Sequence, residues 1–318
     1  MATSSPARTA ASPATTASPA PLKPLRGVRV LSLALNLPGP AALMRLRAMG
    51  ATCTKAEPPA PKGAPAGTPG DPMGQYAVGA YATLHAGVKV ISIDLKTDKG
   101  QAALHKALAS TDVLLTSFRP SALAKLGLGW KALHKRHPAL SLVAIVGAPG
   151  ARAEEPGHDL TYLADNGLVT GLDLPPTLFA DMGGALMASE AVLKAVLAQR
   201  LGKTGRGSFQ EVALSEAAAW LALPRAWGLT LPMGAVGGAH AGYKVYPCKD
   251  GRVAVAALEP HFAAALCAAA GVPASSSRAL MIAPATHATI AAFLLTQTCQ
   301  QLDQLGLEKD IPLHTLAK

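Results

Sequence analysis

The chain has 318 residues, half of them hydrophobic and only 15% charged, which excludes a disordered protein and allows a large core in two lobes. Its net charge of +10 points to an anionic partner. The basic residues are scattered and no aromatic–basic interleaving marks a recognition module, so no nucleic-acid partner is expected and a phosphorylated small molecule fits better.

Residues 1–26 are almost wholly Ala, Ser, Thr and Pro and read as a disordered tail; a transit peptide is the alternative, with Arg8 as thin support. Regular structure begins at Gly27. Val28 to Ala34 alternates as a strand, Leu37-Pro38-Gly39-Pro40 turns the chain, and Pro40 opens a helix running to Met49 and stopped by Gly50. Ala51 to Ala56 is a second strand. Strand, turn, helix and strand within about thirty residues make a βαβ unit and imply a parallel sheet. Pro58 to Pro72 is a Pro/Gly loop. Val88 to Leu95 reads as a strand, Asp98 to Ala109 as a helix, Asp112 to Ser117 as a strand, and Leu142 to Val146 as another after an intervening helix. The basic run Lys131 to His137 is a solvated last helical turn before Pro138, where the helix dipole favours cations.

This is the pattern of an open, Rossmann-like α/β sheet, without the Gly-x-Gly-x-x-Gly of a dinucleotide site. Further on, Phe209 to Leu214 resembles a strand and Ser215 to Leu223 a helix. Gly234 to Gly242 is a glycine-rich loop, and Tyr243 to Tyr246 with Arg252 to Ala257 form a hairpin around Lys249-Asp250-Gly251. The expected organisation is a large Rossmann-like domain over 27–205 and a smaller α+β domain over 206–283. The C-terminal helices, about 284–318 and including Thr289 to Leu302, return to the first domain.

The four cysteines, Cys53, Cys248, Cys267 and Cys299, form no Cys-x-x-Cys, so neither a zinc site nor a disulfide framework is indicated and a reducing cytoplasm is expected. The histidines lack metal-ligand spacing, and no metal is expected. No apolar run reaches membrane-span length; the longest, Gly183 to Leu201, holds Glu190 and Lys194. A Gly-x-Ser-x-Gly elbow is absent. His158 and Asp181 stand out as one imidazole and one carboxylate beside glycines, the residue types that move protons. Taken singly, a histidine is more often structural, and Asp181 before Met-Gly-Gly is more often a helix N-cap. Asp159 reads as a residue that caps or orients.

Several segments together carry a resemblance. They are Leu37-Pro38-Gly39-Pro40, Ile93-Asp94-Leu95-Lys96, Ser117-Phe118-Arg119-Pro120 with Leu126-Gly127-Leu128-Gly129, Gly157-His158-Asp159 and Ala180-Asp181-Met182-Gly183-Gly184. Thr204-Gly205-Arg206-Gly207, Gln210 to Glu216, and Leu258-Glu259-Pro260-His261-Phe262 complete the series. In this order the chain resembles the family III CoA-transferase superfamily (CaiB/BaiF type), closest in motif to alpha-methylacyl-CoA racemase. The resemblance implies the family III CoA-transferase fold, an acyl-CoA thioester substrate and an intertwined homodimer. Coenzyme A would enter as part of the substrate, with no further cofactor required and no membrane partner.

Carried over by position, Asp181 matches the family's active-site aspartate, a nucleophile in the transferases and one of two bases in the racemases. His158 matches the second racemase base, and Glu259 the acid that partners it. Arg119, Lys55, Lys96 and Tyr162 are implied to contact CoA. Backbone N–H groups near Gly183 and Gly184 are expected to stabilise an enolate oxygen. Two departures stand out: the family's Arg-Val-Glu is here Lys55-Ala56-Glu57, and its Asn-Arg-Gly is His85-Ala86-Gly87. The expected activity is racemisation of 2-methylacyl-CoA. The alternatives are CoA transfer between carboxylic acids through Asp181, and acyl-CoA binding without turnover.

Overall fold

Apolar runs covered on both sides become the middle of a parallel sheet, and edge strands read as mixed. The computed structural model describes residues 22–202, 204–273 and 277–317. Six strands, β1 (Arg29–Ser32), β2 (Thr52–Glu57), β3 (Lys89–Ser92), β4 (Val113–Thr116), β5 (Ser141–Val146) and β6 (Phe209–Ala213), lie in the order β3-β2-β1-β4-β5-β6. Every pairing between them is parallel. β4 and β5 are buried at every position, whereas the edge strand β3 has no fully buried residue.

The helix Pro38–Ala48 starts two residues before the expected Pro40, taking in part of the segment read as a turn. A side chain on Gly39 would collide with Ala34, so only glycine lets this helix start so close to the end of β1. Thr97 caps the Asp98–Leu108 helix by accepting the Gly100 N–H. The long helix Phe179–Leu201 buries Ala, Val and Gly positions and carries the Glu190–Lys194 ion pair at 2.7 Å on its exposed face.

The chain divides into two compact units. The larger runs up to Asp159 and includes Ala180–Glu216; the smaller comprises Leu160–Phe179 and the residues from Ala217 onward. Within the smaller unit, β7 (Tyr243–Cys248), β8 (Gly251–Ala256) and β9 (Leu313–Ala317) form an antiparallel sheet. Its core includes Val253, Val255, Leu266, Ile290 and Leu302, each worth about 1.5–3 kcal/mol of burial.

Three expectations are corrected. β6, assigned by the sequence to the small domain, completes the large sheet by pairing with β5. The C-terminal segment stays in the smaller unit, because β9 pairs with β8, and the single helix expected over Thr289 to Leu302 is two helices, Pro284–Thr296 and Cys299–Lys309. Residues before Gly27, read as tail, are packed: Leu25 is 1% exposed and its N–H reaches the Met49 carbonyl. The rest of the expected tail, residues 1–21, lies outside the described residues. Among these, no helix is long and apolar enough to cross a membrane.

Candidate active site

In an open parallel sheet, ligands collect at the carboxyl ends of the strands where the strand order reverses. Here that point lies between β1 and β4. A cavity of about 260 Å³ opens there, walled by Leu33 and Leu35 after β1, Ala56 and Pro58 at the end of β2, Ile93 after β3 and Phe118 after β4. Lys96 lines this cavity and also a second cleft of about 620 Å³, which adds His105, Lys125 and Arg136. An apolar slot continuous with a basic cleft suits a flat ring carrying phosphates. Lys125 and Arg136 were not singled out in the sequence; Arg136 belongs to the run read there as merely solvated.

The two candidate catalytic groups stand in the larger unit. Asp181 is in the first turn of the Phe179–Leu201 helix, half-buried. Its backbone N–H donates to Asp159 Oδ1 at 2.9 Å, so the buried Asp159 carboxylate caps this helix and fixes where Asp181 begins. Capping by Asp159 agrees with the sequence reading. Burial, then the neighbouring Asp159 charge, push the Asp181 carboxyl up to about 6, against an opposing pull from His158. His158 precedes Asp159 and is exposed. The Tyr76 phenol, missed in the sequence, also stands in this field: burial first, then Asp71 and Asp181, raise it above its ordinary range.

Because Asp159 is a charge as well as a cap, its replacements separate the two effects. Asp159→Asn keeps an acceptor but removes the charge, so the Asp181-dependent limb of a pH–rate profile should move to lower pH. Asp159→Ala should additionally cost about 1 kcal/mol of stability through the lost cap. Stopped-flow pH profiles and urea melts check both, and an unmoved limb in Asp159→Asn would count against this coupling.

Gly183 and Gly184 do not serve as expected. They are the fifth and sixth residues of the helix, so their amides belong to its own hydrogen-bond ladder and do not reach a ligand. Gly184 has a packing role instead: a side chain there would collide with Leu214.

Lys55 is also corrected as a phosphate ligand. It is wholly buried, and its three ammonium protons go to Asp71 Oδ2, to Glu57 Oε1 at 3.1 Å and to His85 Nε2 at 2.9 Å. His85 donates through Nδ1 to the Tyr81 carbonyl at 2.7 Å, and burial lowers its pKa. Glu57 takes the Tyr81 hydroxyl and the Gly70 and Asp71 amides, while Asp71 takes the Asn36 and Met73 amides. The network thereby holds Asn36 at φ 61°, just ahead of the Leu-Pro-Gly-Pro turn. The two departures from the family pattern, at Lys55 and His85, are in direct contact.

Arg119 is exposed at the N-cap of the Pro120–Lys125 helix. Glu259 and Tyr162 belong to the smaller unit. Glu259 is exposed at the N-cap of the Pro260–Ala269 helix, and Tyr162 is 7% exposed, its carbonyl accepting from Asn166 Nδ2 at 2.8 Å.

Comparison with known proteins agrees with this geometry. The chain is 32% identical over 210 residues to the succinyl-CoA–D-citramalate CoA-transferase of Chloroflexus aurantiacus, covering 62% of this chain and 50% of that protein. It is 31% identical over 262 residues to the mouse alpha-methylacyl-CoA racemase, covering 76% of this chain and 63% of that one. A solved structure of Rv3272 from Mycobacterium tuberculosis superposes with a TM-score of 0.77 at 25% identity, over 94% of this chain and 84% of that one. The chain spans about half the length of the first curated relatives it matches. The family model described as CoA-transferase family III matches residues 25–318, and the chain belongs to that family.

Proposed function

We propose that the protein binds acyl-CoA thioesters and racemises 2-methylacyl-CoA by two-base proton transfer between Asp181 and His158. The observation that carries this is the Asp181 carboxyl, pushed up to about 6 beside an exposed imidazole. A group titrating near neutrality can take a proton and return it. In this scheme one of the pair removes the α-proton, leaving an enolate, and the other delivers a proton to the opposite face. The apolar cavity and the basic cleft through Lys96, Lys125 and Arg136 would hold the nucleotide end of CoA. Arg119 is assigned to the thioester side of that head group. Exposed Trp220, Trp227 and Met233 in the smaller unit support a homodimer that covers them, and four free cysteines suit the cytoplasm.

A second reading has its own support, since the relatives include named CoA-transferases. There the Asp181 carboxylate would attack the thioester carbonyl, forming a mixed acyl anhydride as the C–S bond breaks and CoA leaves as its thiolate. The decisive assay is exchange of the α-hydrogen of 2-methylacyl-CoA in deuterated water, followed by NMR without any acceptor acid. Exchange with inversion should occur in the natural protein, and inversion should fall about 10²–10⁴-fold in His158→Ala. Undiminished inversion in that variant sinks the two-base scheme. CoA transfer only with an added carboxylate, with hydroxylamine trapping at Asp181, would establish the second reading.

A further inference from the structure

The smaller unit contains a second chemically marked place. Cys248 ends β7, Asp250 sits in the turn after it, and Cys299 is the first residue of the Cys299–Lys309 helix. The two Sγ atoms are 3.6 Å apart, and Cys248 Sγ lies 3.9 Å from Asp250 Oδ1. Ligand atoms of all three residues fall within 4.8 Å of one another. Cys248 is buried, Cys299 half-buried and Asp250 exposed, so the group opens to solvent on one side.

The surrounding backbone is already fixed. The Cys299 N–H donates to Asp250 Oδ1 at 2.7 Å, and the Lys249 N–H donates to the Gln297 carbonyl at 2.9 Å. A capping box between Thr298 and Gln301 sets the first turn of the helix that carries Cys299. The hairpin turn and the helix start are therefore held together without the thiols.

These separations select among the chemistries two thiols can do. A disulfide needs the sulfurs at about 2.05 Å, so the pair would have to close by about 1.5 Å. A tetrahedral ion with metal–sulfur bonds of about 2.3 Å places its two sulfurs about 3.8 Å apart, close to what is observed. The corresponding sulfur–oxygen edge, about 3.6 Å, is near the Cys248–Asp250 separation.

We propose that Cys248, Asp250 and Cys299 form a binding site for a soft divalent cation of the zinc or cadmium class, with a fourth position open to solvent. On binding, each thiol loses its proton to solvent as its sulfur–metal bond forms, and the carboxylate supplies the third ligand. The ion joins the β7–β8 turn to the last helix. The site is invisible along the chain, because the cysteines are 51 positions apart with no paired-cysteine motif.

The test is a cadmium titration of the full chain, reduced and freed of metal by a chelator. It is followed by the thiolate-to-cadmium charge-transfer absorbance in the ultraviolet and by proton release in weak buffer. One ion per chain and two protons per ion are expected. Cys248→Ser and Cys299→Ser should abolish the band, and Asp250→Asn, which leaves both thiols and the fold's core intact, should weaken binding about tenfold or more. Cys267→Ser should bind as the natural chain does. Absence of the band in the natural chain, its survival in Cys248→Ser, or unchanged affinity in Asp250→Asn overturns the proposal. So does formation of a Cys248–Cys299 disulfide in place of ion binding.

Discussion

Asp181→Asn should lose about 10³-fold or more of turnover and yet melt at a higher temperature than the natural chain. The loss follows from removing the group that either takes the α-proton or attacks the thioester. The gain follows from the sign of the titration shift. In the unfolded chain an aspartate ionises near 4, whereas in the folded chain Asp181 holds its proton up to about 6. The native state is thus favoured while Asp181 is protonated. That contribution is complete below the unfolded pKa and is lost as pH rises through about 6. Above pH 6 the native protein carries a half-buried carboxylate facing the Asp159 charge, at a cost of about 1–3 kcal/mol. Asparagine keeps the shape and the capped amide and removes the charge. Calorimetric melts at pH 8 and pH 4 should therefore show a clear stabilisation at the first and little at the second. Equal shifts at both pH values would contradict the origin given for Asp181's high pKa.

The second large effect belongs to Lys55. Replacing it with methionine leaves Glu57 and Asp71 buried without their cation, a change worth about 3–5 kcal/mol. Urea unfolding followed by circular dichroism should show it directly. Ala56, Glu57 and Pro58 line the apolar cavity, so CoA binding should weaken in parallel. A subtler outcome separates a specific network from generic damage. Lys55→Arg alone must fit a guanidinium against His85, and His85→Asn alone leaves the lysine short of an acceptor of the same reach. The double variant restores the pairing implied by the family pattern, and its cost should fall below the sum of the single costs by about 0.5–3 kcal/mol. Strict additivity would show that the two positions are independent.

Much of the large sheet was legible because its strands are short apolar runs separated by turn residues. Strands β1 to β5 follow that punctuation closely. β6 was placed in the wrong domain because nothing local in Phe209–Ala213 names its partner; pairing with β5 is a long-range choice. The short helices Met73–Tyr76 and Val78–Leu84 went unread, as they follow a Pro/Gly loop and carry little periodicity. Asp181, His158 and Asp159 were singled out through flanking glycines and order along the chain, and the structure adds the Asp159 cap on the Asp181 amide. Lys55 was not: it stands where the family's Arg-Val-Glu has its arginine, and so looks like a ligand contact. Its actual partners, Asp71 and His85, lie 16 and 30 positions away. Gly183 and Gly184 were misread for a simpler reason, because the helix begins a turn earlier than their motif suggests.

The late pairing of β6 also sets the order in which the protein can be made. During synthesis the first five strands emerge by residue 146, but the edge beside β5 stays unfilled until residue 213 has left the ribosome. Asp159 and Asp181 both lie in the stretch spanned by that pairing. A nascent chain therefore exposes a bare parallel edge, open to association with other chains, throughout the interval in which its candidate active site is being translated.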